Sequence, residues 1–174
     1  MQLYRFGPTA TVSPSTASLH PVGVRLANGS FAAAAGGDGI LTVTGERTAF
    51  IAGARWAAPA SLLFNQAVAD AFDAAPGVVR LDARGQQTPS AYVLRLDVRN
   101  FEARYDAGRN GPPVVVLRMR AALAKADLST TVDQVFETRA SAGGDRVGAI
   151  VAAYDRALTD LLGDLVAWTA RNVS

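Results

Sequence analysis

The sequence predicts an α/β fold of the α+β kind: a two-layer sandwich, with two amphipathic helices on one face of a mainly antiparallel sheet. Three observations predict it. Tyr92, Leu94, Leu96 and Val98 alternate with Val93, Arg95, Asp97 and Arg99, the period-two pattern of a half-buried strand. Two segments, one after Pro59 and one at the end of the chain, repeat apolar residues at helical spacing. The elements run β-β-β-α-β and then β-β-β-α, and two apolar helix stripes need a sheet face to cover them.

The first 39 residues are rich in Pro, Ser, Thr, Ala and Gly. Pro8, Pro14 and Pro21 break any helix there. One short strand is expected, from Val22 to Leu26. The rest of 1–39 reads as a flexible N-terminal arm, with Gly36-Gly37-Asp38-Gly39 as a mobile linker. A single globular domain is expected over 40–174.

Within that domain, residues 40–44 and 48–54 form a hairpin about the turn Gly45-Glu46. Pro59 suits the first turn of a helix, because its missing N–H has no helical partner there. Leu63, Phe64, Ala67, Val68, Ala71 and Phe72 give that helix its stripe, and Pro76-Gly77 stops it. Val78 to Leu81 is a short strand, and Gly85 to Pro89 a loop. In the long strand from Tyr92, the phase flips at Asn100, so that Phe101, Ala103 and Tyr105 become the apolar set. One extra residue does this, which predicts a β-bulge.

Val115, Leu117, Met119, Ala121 and Leu123 then face one way, with Arg118 and Arg120 on the other side. After a tight turn at Asp127-Leu128-Ser129, Val132, Phe136 and Ala140 oppose Asp133, Glu137 and Arg139. The three strands make a meander with one apolar and one charged face. Asp145 is the expected N-cap of the last helix. That helix carries Val147, Ile150, Val151, Tyr154, Leu158, Leu161, Leu162, Leu165 and Trp168 on one stripe.

Composition removes several function classes. The formal net charge is +2, and Lys125 is the single lysine among 17 basic residues. Nucleic-acid binding needs a stronger basic footprint. The chain has no cysteine and one histidine, His20. Thiol catalysis, a Ser-His-Asp triad and a zinc site therefore lack their parts. No catalytic residue, metal ligand or cofactor site is expected. Asp97, Asp133 and Glu137 are read as cross-strand ion-pair partners of the arginines rather than paired catalytic carboxylates. The last helix has acids on its polar face, unlike the basic face of a membrane-surface helix.

Several short stretches carry a resemblance. Arg55-Trp56 followed by Pro59 joins a strand to a helix. Tyr92-Val93-Leu94 opens a strand ending in Phe101-Glu102-Ala103, and Val114-Val115-Val116-Leu117-Arg118 opens the next. The helix from Ala149 leads to Leu165-Val166-Ala167-Trp168. From about Ile40 to Trp168 this succession resembles the ABC-type transport auxiliary lipoproteins, the family of paraquat-inducible protein C.

The resemblance implies a non-enzymatic periplasmic accessory of a lipid-transport system. Its partner would be the mammalian-cell-entry substrate-binding protein of an ABC transporter. It implies anchoring to the outer membrane by an acylated N-terminal cysteine, and a possible homo-oligomer. Neither that cysteine nor a signal peptide is in this sequence, and Tyr4 fits a position shortly after the cysteine.

Arg95, Arg99, Arg118 and Arg120, on the charged sheet face, are the candidate docking surface. An ordinary solvated face reads the same way. A small lipid-binding module, with an apolar pocket between sheet and helices, is the alternative function, and an enzyme of unrecognised type is a third.

Overall fold

β6 (Tyr92–Arg104) organises the sheet, because every other part of it is built outward from its two edges. The computed structural model describes residues 1–7, 20–75, 77–82 and 89–173. Before β6 come β1 (Gln2–Tyr4), β2 (Val22–Leu26), β3 (Gly39–Thr44), β4 (Arg47–Trp56), α1 (Ala60–Ala74) and β5 (Val79–Asp82). After it come β7 (Val114–Lys125), β8 (Thr131–Ser141) and α2 (Val147–Asn172).

On one edge, β6 pairs antiparallel with β7 over its full length, and β7 pairs with β8. The opposite edge is shared end to end by two strands, both parallel to β6. β2 takes Tyr92–Leu94, and β3 takes Ala103 and Arg104. Beyond β2 lies β5, and beyond β3 lie β4 and then β1. The meander and the β3–β4 hairpin are antiparallel, as alternation and turn residues require. The parallel joins through β1, β2 and β3 have no short-range sequence signal.

The bulge falls where the phase flips. Val98 pairs with Met119 and Asn100 with Arg118, so Arg99 is the extra residue. Before it, Leu94, Leu96 and Val98 face the core, and after it Phe101 and Ala103 do. Both helices cover that inner face. α2 lies on β7 and β8, and α1 packs against β5 and α2. Leu94, Leu117, Met119, Leu123, Leu158 and Leu161 fill the space between sheet and helix. An aromatic cluster surrounds Phe101, with the ring centres of Phe6, Phe31 and Tyr154 at 5.2, 5.3 and 5.1 Å.

The described parts of residues 1–39 are held in this architecture. β1 pairs with β4, and Phe6 sits edge-to-face on Trp56, with ring centres 4.9 Å apart. The Gly7 N–H donates to the Asp155 carboxylate at 3.0 Å. Val24 of β2 is fully buried. Residues 27–32 then run along β6, with Ala27 and Ala32 N–H donating to the Leu94 and Val98 carbonyls. Gly29 crosses there so closely that a Cβ would collide with the Leu96 carbonyl oxygen. The carbonyls of Gly36 and Gly37 accept from Ser61 and Ala60, at the start of α1.

Some expectations need correction. β1 has no counterpart among the expected strands. Asp145 does not cap α2. The N-cap is Arg146, with no side-chain hydrogen bond, and Asp145 instead accepts the Tyr105 hydroxyl at 2.5 Å. A nearby phenol donor competes for that carboxylate. Pro59 stands at the N-cap of α1, one residue before its first turn. Pro8, Pro14, Pro76 and residues 85–88 of the expected loop lie outside the described residues.

Candidate functional site

The four candidate arginines share the sheet face opposite the helices. Three of them stand in a ladder of ion pairs. Arg95 meets Asp97 at 3.2 Å, Arg120 meets Asp133 at 3.2 Å, and Arg118 stands 4.0 Å from Glu137, its register partner. Arg139 also binds Glu137, at 2.9 Å. The side chains of Arg95, Arg118 and Arg120 keep 58, 46 and 40% of their surface exposed. At that exposure each pair contributes about 0–1 kcal/mol, so the ladder does not account for stability. It orders a charged surface.

Arg99 differs from the other three. It is the bulge residue, it is exposed, and among the described residues no ion pair ties it down. The strip holds five arginines, with Arg139, against three carboxylates, an excess of two positive charges. That excess suits an acidic partner surface better than a neutral one.

Asp97 also fastens the face from behind. Its carboxylate accepts from the Ser30 N–H at 3.0 Å and from the Ser30 hydroxyl at 2.8 Å. Burial works to raise its pKa, but the Ser30 hydrogen bonds and the Arg95 charge outweigh it and hold the carboxyl below its ordinary value. Asp97 thus stays ionised and joins the 27–32 segment to β6. An acid in an alternating strand reads as one more polar residue, so this clasp leaves no mark on the local pattern.

The motif residues have separate places. Trp56 is buried, edge-to-face with Tyr154 at 5.1 Å. Arg55, next to it, points outward and binds Asp38 at 2.8 Å. Trp168 packs edge-to-face on Phe136, 5.7 Å away, and pins the end of α2 to β8. Trp56, Pro59 and Trp168 therefore position the helices rather than form one site with the arginines.

Among the described residues, no group of three or more His, Cys, Asp or Glu side chains could hold a metal ion, and no helix is long and apolar enough to cross a membrane. His20 is exposed, just before β2. A cleft of about 190 Å³ lies between residues 28–31 and α1, walled by Asn28, Ser30, Asn65, Phe31 and Phe64. Pockets for drug-sized ligands run from about 300 to 1,000 Å³, so this cleft is small for a lipid. A surface groove of about 520 Å³ runs beside β4.

A family model for the ABC-type transport auxiliary lipoprotein component matches residues 4–166. Among solved structures, a DUF330 protein from Xanthomonas campestris superposes with a TM-score of 0.83 at 24% identity, over 98% of this chain and 95% of that one. An uncharacterized protein superposes at 0.70 with 14% identity, over 89% of this chain and 97% of its own. The hypothetical protein CT253 of Chlamydia trachomatis gives 0.54 at 8% identity, over 87% and 96%. At these identities the structures establish the shared fold. No curated protein matches.

Proposed function

The chain belongs to the family of ABC-type transport auxiliary lipoprotein components, and from that premise we propose that it acts without catalysis in a mammalian-cell-entry type of lipid transport. In this reading the domain is tethered in the periplasm to the outer membrane and docks the substrate-binding partner of the transporter. The observation that carries the proposal is the family match across residues 4–166, on a fold whose helices are positioned by Trp56, Pro59 and Trp168. The family is an auxiliary transport family, not an enzyme family.

The docking surface in this reading is the outer face of β6, β7 and β8. It is ordered by its own ion pairs, and it carries excess positive charge with Arg99 unmatched. Charge of this kind steers association and fixes register more than it adds affinity. The test is binding of the purified domain to the mammalian-cell-entry protein of the same cell, for wild type and for a variant with Arg95, Arg99, Arg118 and Arg120 changed to Glu. The expected result is a loss of at least tenfold, mostly in association rate, with weaker wild-type binding at high salt. Equal affinity of the two proteins would remove this surface from the proposal. Absence of binding by either would remove the partner.

A further inference from the structure

The outer face of the sheet changes character from one side to the other. On β6, β7 and β8 it is the ladder of charges. On β3, β4 and β1 it carries apolar side chains. Leu41 pairs with Phe50, Gly39 with Arg55, and Arg55 with Leu3, so these positions share one surface. Leu41 and Val43 are buried in it. Phe50, Leu3 and Met1 stand out of it, 58, 67 and 78% exposed. The Phe50 ring lies over Gly39, so close that a Cβ there would sit 2.5 Å from it. Beyond Phe50 the strand bulges, with Gly53 at φ 73°, a left-handed value that glycine adopts without strain. Phe50, Ile51 and Met1 there line the groove beside β4.

From Thr48 to Ala54 no side chain carries a charge. A charge borders the patch instead. Arg5 follows β1 in phase with Leu3 and is exposed, with no ion pair among the described residues, whereas Arg47 pairs with Thr44, in phase with buried Thr42, and so lies on the other side of the hairpin. Arg55 is already tied to Asp38. The other acid nearby is Glu46, in the hairpin turn.

We propose that this patch rests on a lipid surface, with Phe50 and Leu3 entering the headgroup region and Arg5 meeting anionic phosphates. The family is a lipoprotein family, so the domain works beside a bilayer, and the choice of lipid as occupant rests on the anchored reading above. Protruding apolar side chains beside an unmatched cation suit a membrane interface. The two sides of the face would then differ in role. The β4–β1 side meets lipid, and the β6–β8 side is left open to a protein.

The test uses the chain without any covalent lipid, so that only this patch can hold it. Cosedimentation is measured with vesicles of equimolar phosphatidylethanolamine and phosphatidylglycerol, and with vesicles of pure phosphatidylcholine. The expected result is binding to the anionic vesicles, weaker binding to phosphatidylcholine, and a loss of about tenfold in the Leu3→Ser, Phe50→Ser double variant. Arg5→Ala should cost a smaller factor, on anionic vesicles only, and Arg47→Ala, on the other face of the hairpin, should cost none. Melting curves of the variants confirm that the fold is kept, because all four side chains are exposed. A wild type that stays in solution with both vesicles overturns the proposal, as does a double variant that sediments like wild type. So does an apolar variant that loses self-association instead, which would assign the patch to a second copy. None of these outcomes involves the transport partner, so the docking reading stands or falls separately.

Discussion

Tyr154 lies on α2 with its hydroxyl completely enclosed and without a hydrogen-bond partner among the described residues. Its ring is well placed, 5.1 Å from the rings of both Trp56 and Phe101. The substitution Tyr154→Phe removes one oxygen and keeps those contacts. A buried hydroxyl left unpaired costs about 1–3 kcal/mol, so the variant should be more stable by about 1 kcal/mol. For a chain of this size that corresponds to a rise in Tm of about 2–4 °C. The pH dependence adds a second readout. Burial pushes the Tyr154 phenol well above its ordinary pKa of 10, and the Glu102 charge pushes the same way. A group whose pKa is raised by folding contributes its full stability below the unfolded value, and loses it as pH climbs past that value. Above about pH 10 the unfolded chain ionises Tyr154 and the folded chain does not. The advantage of Tyr154→Phe over wild type should therefore widen by about 1.4 kcal/mol per pH unit there. Urea unfolding of both proteins between pH 7 and about 11 measures this. A variant less stable than wild type would refute the argument that the hydroxyl is unpaired, and a difference constant with pH would refute the argument that burial holds the phenol neutral.

Phe6→Ala should cost about 3–5 kcal/mol by opening a cavity beside Trp56 and Phe101, measured as a lowered urea midpoint; an effect under about 1 kcal/mol would mean that residues 2–7 are not part of the folded core. Gly29→Ala drives a Cβ into the Leu96 carbonyl and should cost about 2 kcal/mol or more in the same assay. Asp97→Ala removes the acceptor for the Ser30 N–H and hydroxyl and should cost about 1–2 kcal/mol at pH 7. Because folding lowers the Asp97 pKa, its contribution is present above about pH 4 and fades as pH falls below it, so wild type and variant should converge in acid unfolding curves. Leu128 holds φ at 61° in the β7–β8 turn, and Leu128→Gly should raise Tm through about 0.5–1 kcal/mol of relieved strain.

What the sequence disclosed followed from how far each signal reaches along the chain. Alternation is local, so the meander was legible, and a single phase change was enough to locate the bulge at Arg99 and Asn100. Helical spacing is local too, and both helices were readable from their stripes. β1 was not, because Gln2–Tyr4 is too short for alternation to be counted, and its partner Ala54–Trp56 is some fifty residues away. The same holds for Phe6 and for residues 27–32. Their Pro-, Gly- and Ala-rich setting reads as loose chain, yet Phe6 fills the space between Trp56 and Phe101 and Ser30 closes on Asp97. The Asp145 cap failed for a related reason. Sequence offers every nearby backbone N–H to a carboxylate, but not the Tyr105 hydroxyl that arrives from forty residues earlier.

The candidate site was half legible on the same grounds. Arg95, Arg99, Arg118 and Arg120 could be assigned to one face by parity alone. Which of them is spoken for depends on cross-strand register, and the bulge decides it. Were the strand to run on past Val98 without a bulge, Arg99 would fall in line with Arg95 and Asp97 and face Arg118 across the ladder, an unfavourable like-charge pair. The bulge places Asn100 opposite Arg118 and leaves Arg99 out of the pairing. The same inserted residue turns Phe101 inward to the aromatic cluster. One backbone irregularity therefore sets both the centre of the core and the unpaired cation on the outer face. Deleting Arg99 should remove the irregularity and the cation together: alternation then runs unbroken from Val98 through Asn100 to Phe101, the Asn100–Arg118 and Phe101–Leu117 pairs are kept, and the domain stays folded. Arg99→Ala should leave stability within about 0.5 kcal/mol and remove the charge alone.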